Sequence, residues 1–288
     1  MHISLDSALG RQRRLNSVGE SITQIAPDPA AAYSLRSLTG GDPKVVRVRR
    51  SNDNSEQDFT VSEINSGALV SFVGSGNDGF VETWYDQSVN GNNAVQATAS
   101  LQPKIVNAGS LVTGGLLFDG SDDVLSANNL ASVVSGEDRP LSVFTVAIRQ
   151  SASLVRALWA FERSITTIPS IQVSSHPFID KYGYKISDDS ATVKQETDAA
   201  YTDDTQFLMT FASSGTLLDF GKNGTLSQDD EDVDVGTITL DRFTIGGGVH
   251  SDVLEHIGSI NEMIVYTSDQ RNNRTAIETN INSHYSIF

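Results

Sequence analysis

The sequence predicts an all-β domain, a sandwich or jelly roll of short strands, with an amphipathic helix before it and a short helix after it. Three observations predict this. From Ala30 onward, β-rich runs alternate with clusters of Gly, Asn, Asp and Ser, the pattern of many strands joined by turns. Lys222-Asn223-Gly224 holds an Asn-Gly pair, a strong hairpin signal. The last stretch, SDQRNNRTAIETNINSHYSIF, places Ile277 and Ile281 on one helical face.

The elements follow in chain order. Residues 4–25 read as a helix, because Leu15, Val18, Ile22 and Ile25 form one apolar stripe at three-four spacing. Arg11, Arg13 and Arg14 precede the stripe, and Pro27 and Pro29 end the segment. A lone helix of this length is marginal in water. Its stripe must therefore rest on the main domain or on another chain. The second is the expectation, because the segment sits outside the β-pattern. The division is thus 1–29 for an attachment and oligomerisation segment and 30–288 for the sandwich.

Strands are expected at Val45–Arg49, Val81–Tyr85, Gly115–Phe118, Leu141–Ile148, Ile171–Ser174, Tyr182–Ile186, Gln206–Phe211, Thr216–Phe220, Ile238–Ile245 and Ile260–Tyr266. Asp119-Gly120-Ser121-Asp122-Asp123 reads as a tight turn, since Asp side chains hydrogen-bond nearby backbone. Ser268 or Asp269 is the expected cap of the closing helix.

Composition narrows the function classes. The chain has 288 residues and no cysteine, which excludes disulfides, thiol chemistry and cysteine zinc sites. No apolar run is long enough to span a membrane. The first residues lack the apolar stretch of a secretory signal, so assembly inside a cell is expected. The net charge is −16 and unevenly spread. Residues 1–50 carry eight basic and four acidic residues, against 12 basic and 32 acidic in the remainder. An acidic body repels nucleic acid, while the basic first segment suits an acidic partner.

Three segments together resemble a known group. They are AAAYSLRSL with KVVRVRRSNDNSEQDF (30–38, 44–59), WYDQSVNGNNAVQATASLQPKIV (84–106), and FTIGGG…IGSINEMIVYTSDQ with its terminal helix (243–284). The set resembles the β-sandwich domain of arabinofuranosidase-B-type fungal enzymes. More closely, it resembles bacteriophage virion proteins that carry such a domain. The C-terminal segment is also similar to laminin-G and concanavalin-like domains. The fold this implies is a concanavalin-like jelly roll of two antiparallel sheets.

The resemblance does not bring the chemistry with it. A retaining glycosidase holds two carboxylates about 5 Å apart. The resembled enzymes place their acid/base Asp in a Gly-Gly-Asp turn; here the matching turn is Gly246-Gly247-Gly248, with glycine where the Asp would be. Their nucleophile is the Glu of an Asp-x-Glu motif, which is absent from 165–200; the nearest acids are Asp180, Asp188 and Asp189. They also rely on disulfides.

Other constellations are weaker. Asp229-Asp230-Glu231-Asp232 with Asp234 lacks the spacing of a calcium loop and reads as a solvated acidic loop. His250, Asp252 and His256 lack a zinc-helix pattern. Gly74-Ser75-Gly76 lacks the Lys of a phosphate loop, and no GxSxG elbow occurs. For sugar stacking the rings available are Trp84, Tyr85, Trp159, Tyr182 and Tyr184. Trp84 and Trp159 read as core. Tyr182 and Tyr184, on one face beside a Gly, are the sugar-stacking candidates.

The expected function is a non-catalytic phage virion protein: a capsid decoration, fibre or tail/baseplate component assembled in the host cytoplasm. It would hold other virion proteins, and copies of itself, through Arg11, Arg13, Arg14, Leu15, Val18, Ile22 and Ile25. No catalytic residue, cofactor or metal is expected. Two alternatives stand: a carbohydrate-binding adsorption module, and an arabinofuranosidase-like hydrolase. In WYDQSVNGNNAVQA, Asp86 is expected to organise a turn rather than act as an acid.

Overall fold

A computed structural model describes residues 20–288 apart from 151–153, 177–180, 201 and 249–254. Strands β1 (Ala31–Ser34), β2 (Lys44–Arg50), β3 (Glu56–Thr60), β4 (Gly79–Trp84), β5 (Ala94–Val95), β6 (Lys104–Asn107), β7 (Ser110–Leu111), β8 (Leu116–Asp119) and β9 (Leu125–Ser126) make up the first half. The second half adds β10 (Leu141–Arg149), β11 (Arg156–Arg163), β12 (Thr166–His176), β13 (Lys181–Ser187), β14 (Val193–Ala200), β15 (Gln206–Ser213), β16 (Leu217–Lys222), β17 (Thr225–Asp232), β18 (Arg242–Ile245) and β19 (Ile257–Tyr266). Short helix α1 (Ile22–Ile25) precedes the strands, α2 (Val61–Asn65), α3 (Ala68–Val73) and α4 (Asn129–Val134) lie between them, and α5 (Arg274–Tyr285) follows.

The strands form two antiparallel layers. The longer layer runs β3-β2-β4-β5-β9-β18-β11-β12-β13-β14, ten strands each paired to the next, with bulges in several of the ladders. The shorter runs β17-β16-β15-β10-β19, with β1 and β8 both paired to the far side of β19. Strand β6 pairs with β4 and with β8 and so joins the layers at one edge. This is the expected jelly-roll sandwich.

The inner faces meet in one apolar core. Val46, Val48, Trp84, Phe161 and Phe243 of the longer layer pack with Val143, Met209, Phe211, Met263 and Val265 of the shorter. Trp159 meets Phe211 edge-on across the layers at 5.5 Å between ring centroids. A bulge at Glu82 puts Thr83 opposite Arg47 and Val81 opposite Val48, which turns Trp84 inward. Trp84 then packs on Tyr33 at 5.6 Å.

The outer face of the shorter layer is covered. Ile22, Ala26 and Leu38 pack with Ile277 and Ile281 of α5 over Phe144, Val146, Leu208 and Ile264. Beneath α5, Arg36 forms a two-point ion pair with buried Glu262 at 2.7 and 2.8 Å and also reaches Asn280 at 2.9 Å.

Several expectations are corrected here. Ile22 is fully buried in its own domain and Ile25 packs partly buried beside it, so this end of the stripe rests on the main domain. The reason is that Leu38 and α5 supply the apolar partner of these two residues. Arg11, Arg13, Arg14, Leu15 and Val18 lie outside the described residues. The other described cations of the basic first segment are also held within the domain: Lys44 and Arg47 pair with Asp58 and Arg50 with Asp53, while Arg49 donates to Gln102, Asn54 and the Ala99 carbonyl. The expected strand at 238–245 is shorter, beginning at Arg242, with Ile238 in an isolated bridge to Gly136. The acidic run is not a loop; Asp229–Asp232 belong to edge strand β17. Strand β16 reaches it through Asn223-Gly224, both at positive φ, as the hairpin signal predicts. The C-terminal helix begins later than its expected cap, at Arg274, and Asp269 instead binds Arg271. Ile277 and Ile281 are buried as the periodicity predicts.

Candidate functional site

With helices over the shorter layer, the outer face of the longer layer is where a ligand has access. The register places one row of side chains across all ten strands of this face. It runs Asp58, Arg47, Thr83, Val95, Ser126, Thr244, Ala160, Gln172, Lys185 and Gln195. Side chains alternate along a strand, so each of these points away from the core-facing neighbour beside it. The pairs are plain in the strands: Val95 is exposed where Ala94 is buried, and Ser126 is half-buried where Leu125 is core.

The row changes character along its length. At the β3 end it is an ion network. Asp58 accepts hydrogen bonds from Lys44 at 2.8 Å, Arg47 at 3.2 Å and the Tyr85 hydroxyl at 2.8 Å. Tyr85 is a half-buried ring on this face. Burial, and then its bond to the Asp58 carboxylate, pushes its hydroxyl up to about 12. Toward β12 the row is buried and polar. Thr244, Ser170, Gln172 and Ser174 are each less than 4% exposed, and Glu162 is 1% exposed. Among the described residues, Glu162 is the only buried carboxylate on this outward face.

Between these two regions lies an open groove of about 270 Å³, lined by Gly91–Asn93, Val95 and Ser126–Asn129. Two loops build it. The first follows β4. Asp86 Oδ1 accepts from the Ala32 and Ser88 N–H groups, both at 2.8 Å. Asp86 Oδ2 accepts from the Ser88 hydroxyl at 2.7 Å and the Asn92 N–H at 2.9 Å. The Asn92 amide donates to the Ala30 carbonyl at 2.9 Å, and Asn93 Oδ1 accepts the Asp86 N–H at 3.0 Å. Gly91 supplies a left-handed turn at φ 69°. Asp86 is therefore the turn organiser that its setting predicts. The second loop joins β9 to α4. Asn128 Oδ1 accepts the Phe243 N–H at 3.2 Å, and the Ala127 N–H donates to the Phe243 carbonyl at 3.1 Å. Both Asn128 and Asn129 are exposed.

The structure moves the expected sugar-stacking rings. Tyr182 and Tyr184 share a face of β13, as their spacing predicts, but it is the inner face, where they are 0% and 2% exposed. Tyr182 packs on Phe207, and Tyr184 on Phe211 and Phe220. The Gly between them marks a close strand rather than a ligand. A Cβ on Gly183 would lie 2.3 Å from the Glu196 carbonyl oxygen of β14. Trp84 and Trp159 are core, as read.

Other singled-out residues are structural. Asp188 is a turn organiser that accepts from the Ser190, Thr192 and Gly236 N–H groups. Asp189 accepts from Thr239 and faces Arg163 at 3.7 Å. His256 is buried against the Ile148 carbonyl, and burial pushes its imidazole down to about 4. Gly246–Gly248 follow β18, where a Cβ on Gly246 would strike the Phe118 ring. Asp180, His250 and Asp252 lie outside the described residues. Among the described helices none is long and apolar enough to cross a membrane.

The groove was missed in the sequence because its lining is Asn, Gly and Ser, which also make ordinary turns. Asn128 and Asn129 lie some 35 residues from Asn93, and only the β5–β9 pairing brings the two loops together.

No protein-family model matches this chain, and no curated protein matches it. Solved structures do. An arabinofuranosidase complexed with arabinofuranosyl-α-1,2-xylobiose superposes with TM-score 0.63 at 12% identity, over 91% of this chain and 64% of that one. A GH54 α-L-arabinofuranosidase gives TM-score 0.65 at 11% identity, over 91% of this chain and 65% of that one. A sialidase CBM40 of Ruminococcus gnavus gives TM-score 0.48 at 13% identity, over 58% of this chain and 96% of that one. This chain thus spans less than two thirds of the arabinofuranosidases. At these identities the likeness is one of fold, and the fold is their β-sandwich.

Proposed function

We propose that this domain binds carbohydrate on the outward face of its longer sheet and does not cleave it. The observation that carries the reading is the open groove between Asn93 and Asn129. It presents amides and a hydroxyl, groups that match sugar hydroxyls as donors and acceptors. Tyr85, the residue after β4, offers the apolar body of a half-buried ring on the same face. The sandwich shared with arabinofuranosidases supports the same reading at the level of fold.

The non-catalytic half rests on the residues of this face. The outward positions of β12 are Ser170, Gln172 and Ser174, and the turn after β18 carries Gly246–Gly248. A pair of carboxylates flanking a scissile bond is the minimum a glycosidase needs. Among the described residues Glu162 has no second buried carboxylate beside it on this face.

A glycan array tests the binding. Retention of at least one glycan is expected, with Asn129→Ala weakening it by about five- to tenfold, the worth of a hydrogen bond or two. Silence across the array defeats the reading. Release of 4-nitrophenol from 4-nitrophenyl α-L-arabinofuranoside by the purified chain defeats its non-catalytic half. A virion setting, with other virion proteins and further copies held through the first segment, rests on the sequence resemblance alone. Arg11, Arg13, Arg14, Leu15 and Val18 are the residues left to carry it, since Ile22 and Ile25 pack in their own domain.

A further inference from the structure

Helix α5 covers only part of the shorter sheet. We propose that the uncovered part is the dock for the chain's own first segment, seated there by Leu15 and Val18. The dock lies on the opposite face of the sandwich from the carbohydrate groove and does not depend on it.

The register locates it. On the outer face of the shorter sheet, Ser34, Glu262, Val146 and Leu208 stand in one row, with α5 over it. The next row, two residues further along β10 and so about 7 Å away, is Leu117, Ser259 and Ile148. An open hollow of about 300 Å³ lies over this second row, with Leu111 and Val112 on its rim. Leu111 is 41% exposed, and Val112, Leu117 and Ile148 are half-buried. No charged side chain lines the hollow. One wall is set by Gly114, at φ 96°, where a Cβ would lie 2.6 Å from Ser259 Oγ and 2.7 Å from Ile148 Cδ1. Apolar surface left open beside an apolar cluster gains from being covered.

The start of the chain is close at hand. The described backbone begins at Glu20, whose carbonyl accepts from the Asn280 amide of α5. Asn280 also accepts from Arg36, and Arg36 holds Glu262. Glu20 is thus tied above the covered row, one row short of the hollow. Ser21 is extended, at φ −66° and ψ 158°, and α1 begins only after it. The helix expected over 4–25 is therefore broken there, and the chain before Ser21 is not held to the axis of α1. Val18 lies two residues before Glu20 and Leu15 five, spans of at most about 7 and about 18 Å. Both can reach a row about 7 Å away. They also continue the apolar stripe whose other end, Ile22 and Ile25, already packs on this face. The dock extends an interface that the fold already has.

The same tether decides whose segment it is. A short tether gives its segment a millimolar effective concentration, which a second copy does not match in dilute solution. With Leu15 and Val18 seated, Arg11, Arg13 and Arg14 are what remains for attachment to a neighbour.

The chain has no cysteine, so one introduced thiol reports on the hollow. Leu117→Cys places it on the floor, and Leu111→Cys places it on the rim should the first variant fail to fold. Alkylation by a maleimide is compared with and without Leu15→Asp and Val18→Asp in the full chain, since a charge is excluded from an apolar dock. The two aspartates are expected to quicken alkylation by about fivefold or more, because thiol reactivity follows access. Melting temperatures show that each variant stays folded. Val193→Cys, on β14 of the other layer, is expected to keep its rate. An unchanged rate in the hollow, or an equal rise at Val193→Cys, overturns the proposal. Protection equal at about 1 μM and about 100 μM protein marks the chain's own segment. Protection that grows with concentration marks the segment of a second copy and overturns the assignment.

Discussion

Asp86 shows how one side chain can hold a loop in place. Its carboxylate accepts four hydrogen bonds, from three backbone N–H groups and one hydroxyl, and one of these ties β1 to the loop after β4. Removing the acceptor leaves donors stranded, each at about 1–3 kcal/mol where buried. These sites are only partly buried, so the expected cost of Asp86→Ala is about 2–4 kcal/mol. Urea unfolding measures it, and a loss under about 0.5 kcal/mol, the scale of an ordinary surface change, would refute the organiser role. The same loop explains why the groove keeps its shape. Asn93, which presents an amide to it, is anchored by the N–H of Asp86 itself.

Between elements, the tie between Arg36 and Glu262 matters most for the covered sheet. Glu262 stands on β19 beneath α5 and accepts from Arg36, from Ser34 at 2.9 Å and from Tyr285 at 3.2 Å. Breaking one partner of a buried pair costs about 3–5 kcal/mol, because the other charge is left without compensation. Arg36→Met is therefore expected to destabilise strongly, and Arg36→Met with Glu262→Gln to recover part of the loss. A double-mutant cycle measures this; strictly additive losses would show that the two side chains do not act as a pair.

The elements also show what a sequence reveals. Strands with apolar inner faces, such as Leu141–Arg149 and Ile257–Tyr266, announce themselves by composition. Edge strands β3, β14 and β17 do not, because EQDFT, VKQETDAA and TLSQDDED are polar and one-sided in their pairing. The direction in which a ring points was equally illegible. Tyr182 and Tyr184 share a face in either arrangement, and only the layer opposite decides whether that face is core.

The molecule as a whole is acidic, and Asp123 makes a readable local contribution to its response to pH. In the turn after β8, burial and then the neighbouring Asp119 and Asp122 push the Asp123 carboxyl up to about 7. In an unfolded chain it ionises near pH 4. Between those values the folded protein keeps a proton that the unfolded chain has lost. The stability this confers is fully present below about pH 4 and is lost as pH rises through about 7. Asp123→Asn removes the titration. It is expected to narrow the difference in melting temperature between pH 5 and pH 8 and to exceed the wild type at pH 8. Parallel profiles for the two proteins would count against it.

The row across the longer sheet also bears on how such a domain changes over time. Ala94 and Val95, like Leu125 and Ser126, are chain neighbours that face opposite sides of the layer. A substitution at Val95 or Ser126 changes the lining of the groove without disturbing Trp84 or Leu125. Changes to the groove and changes to the core therefore fall on different positions of the same short strands. The outward face can vary without passing through variants that fail to fold.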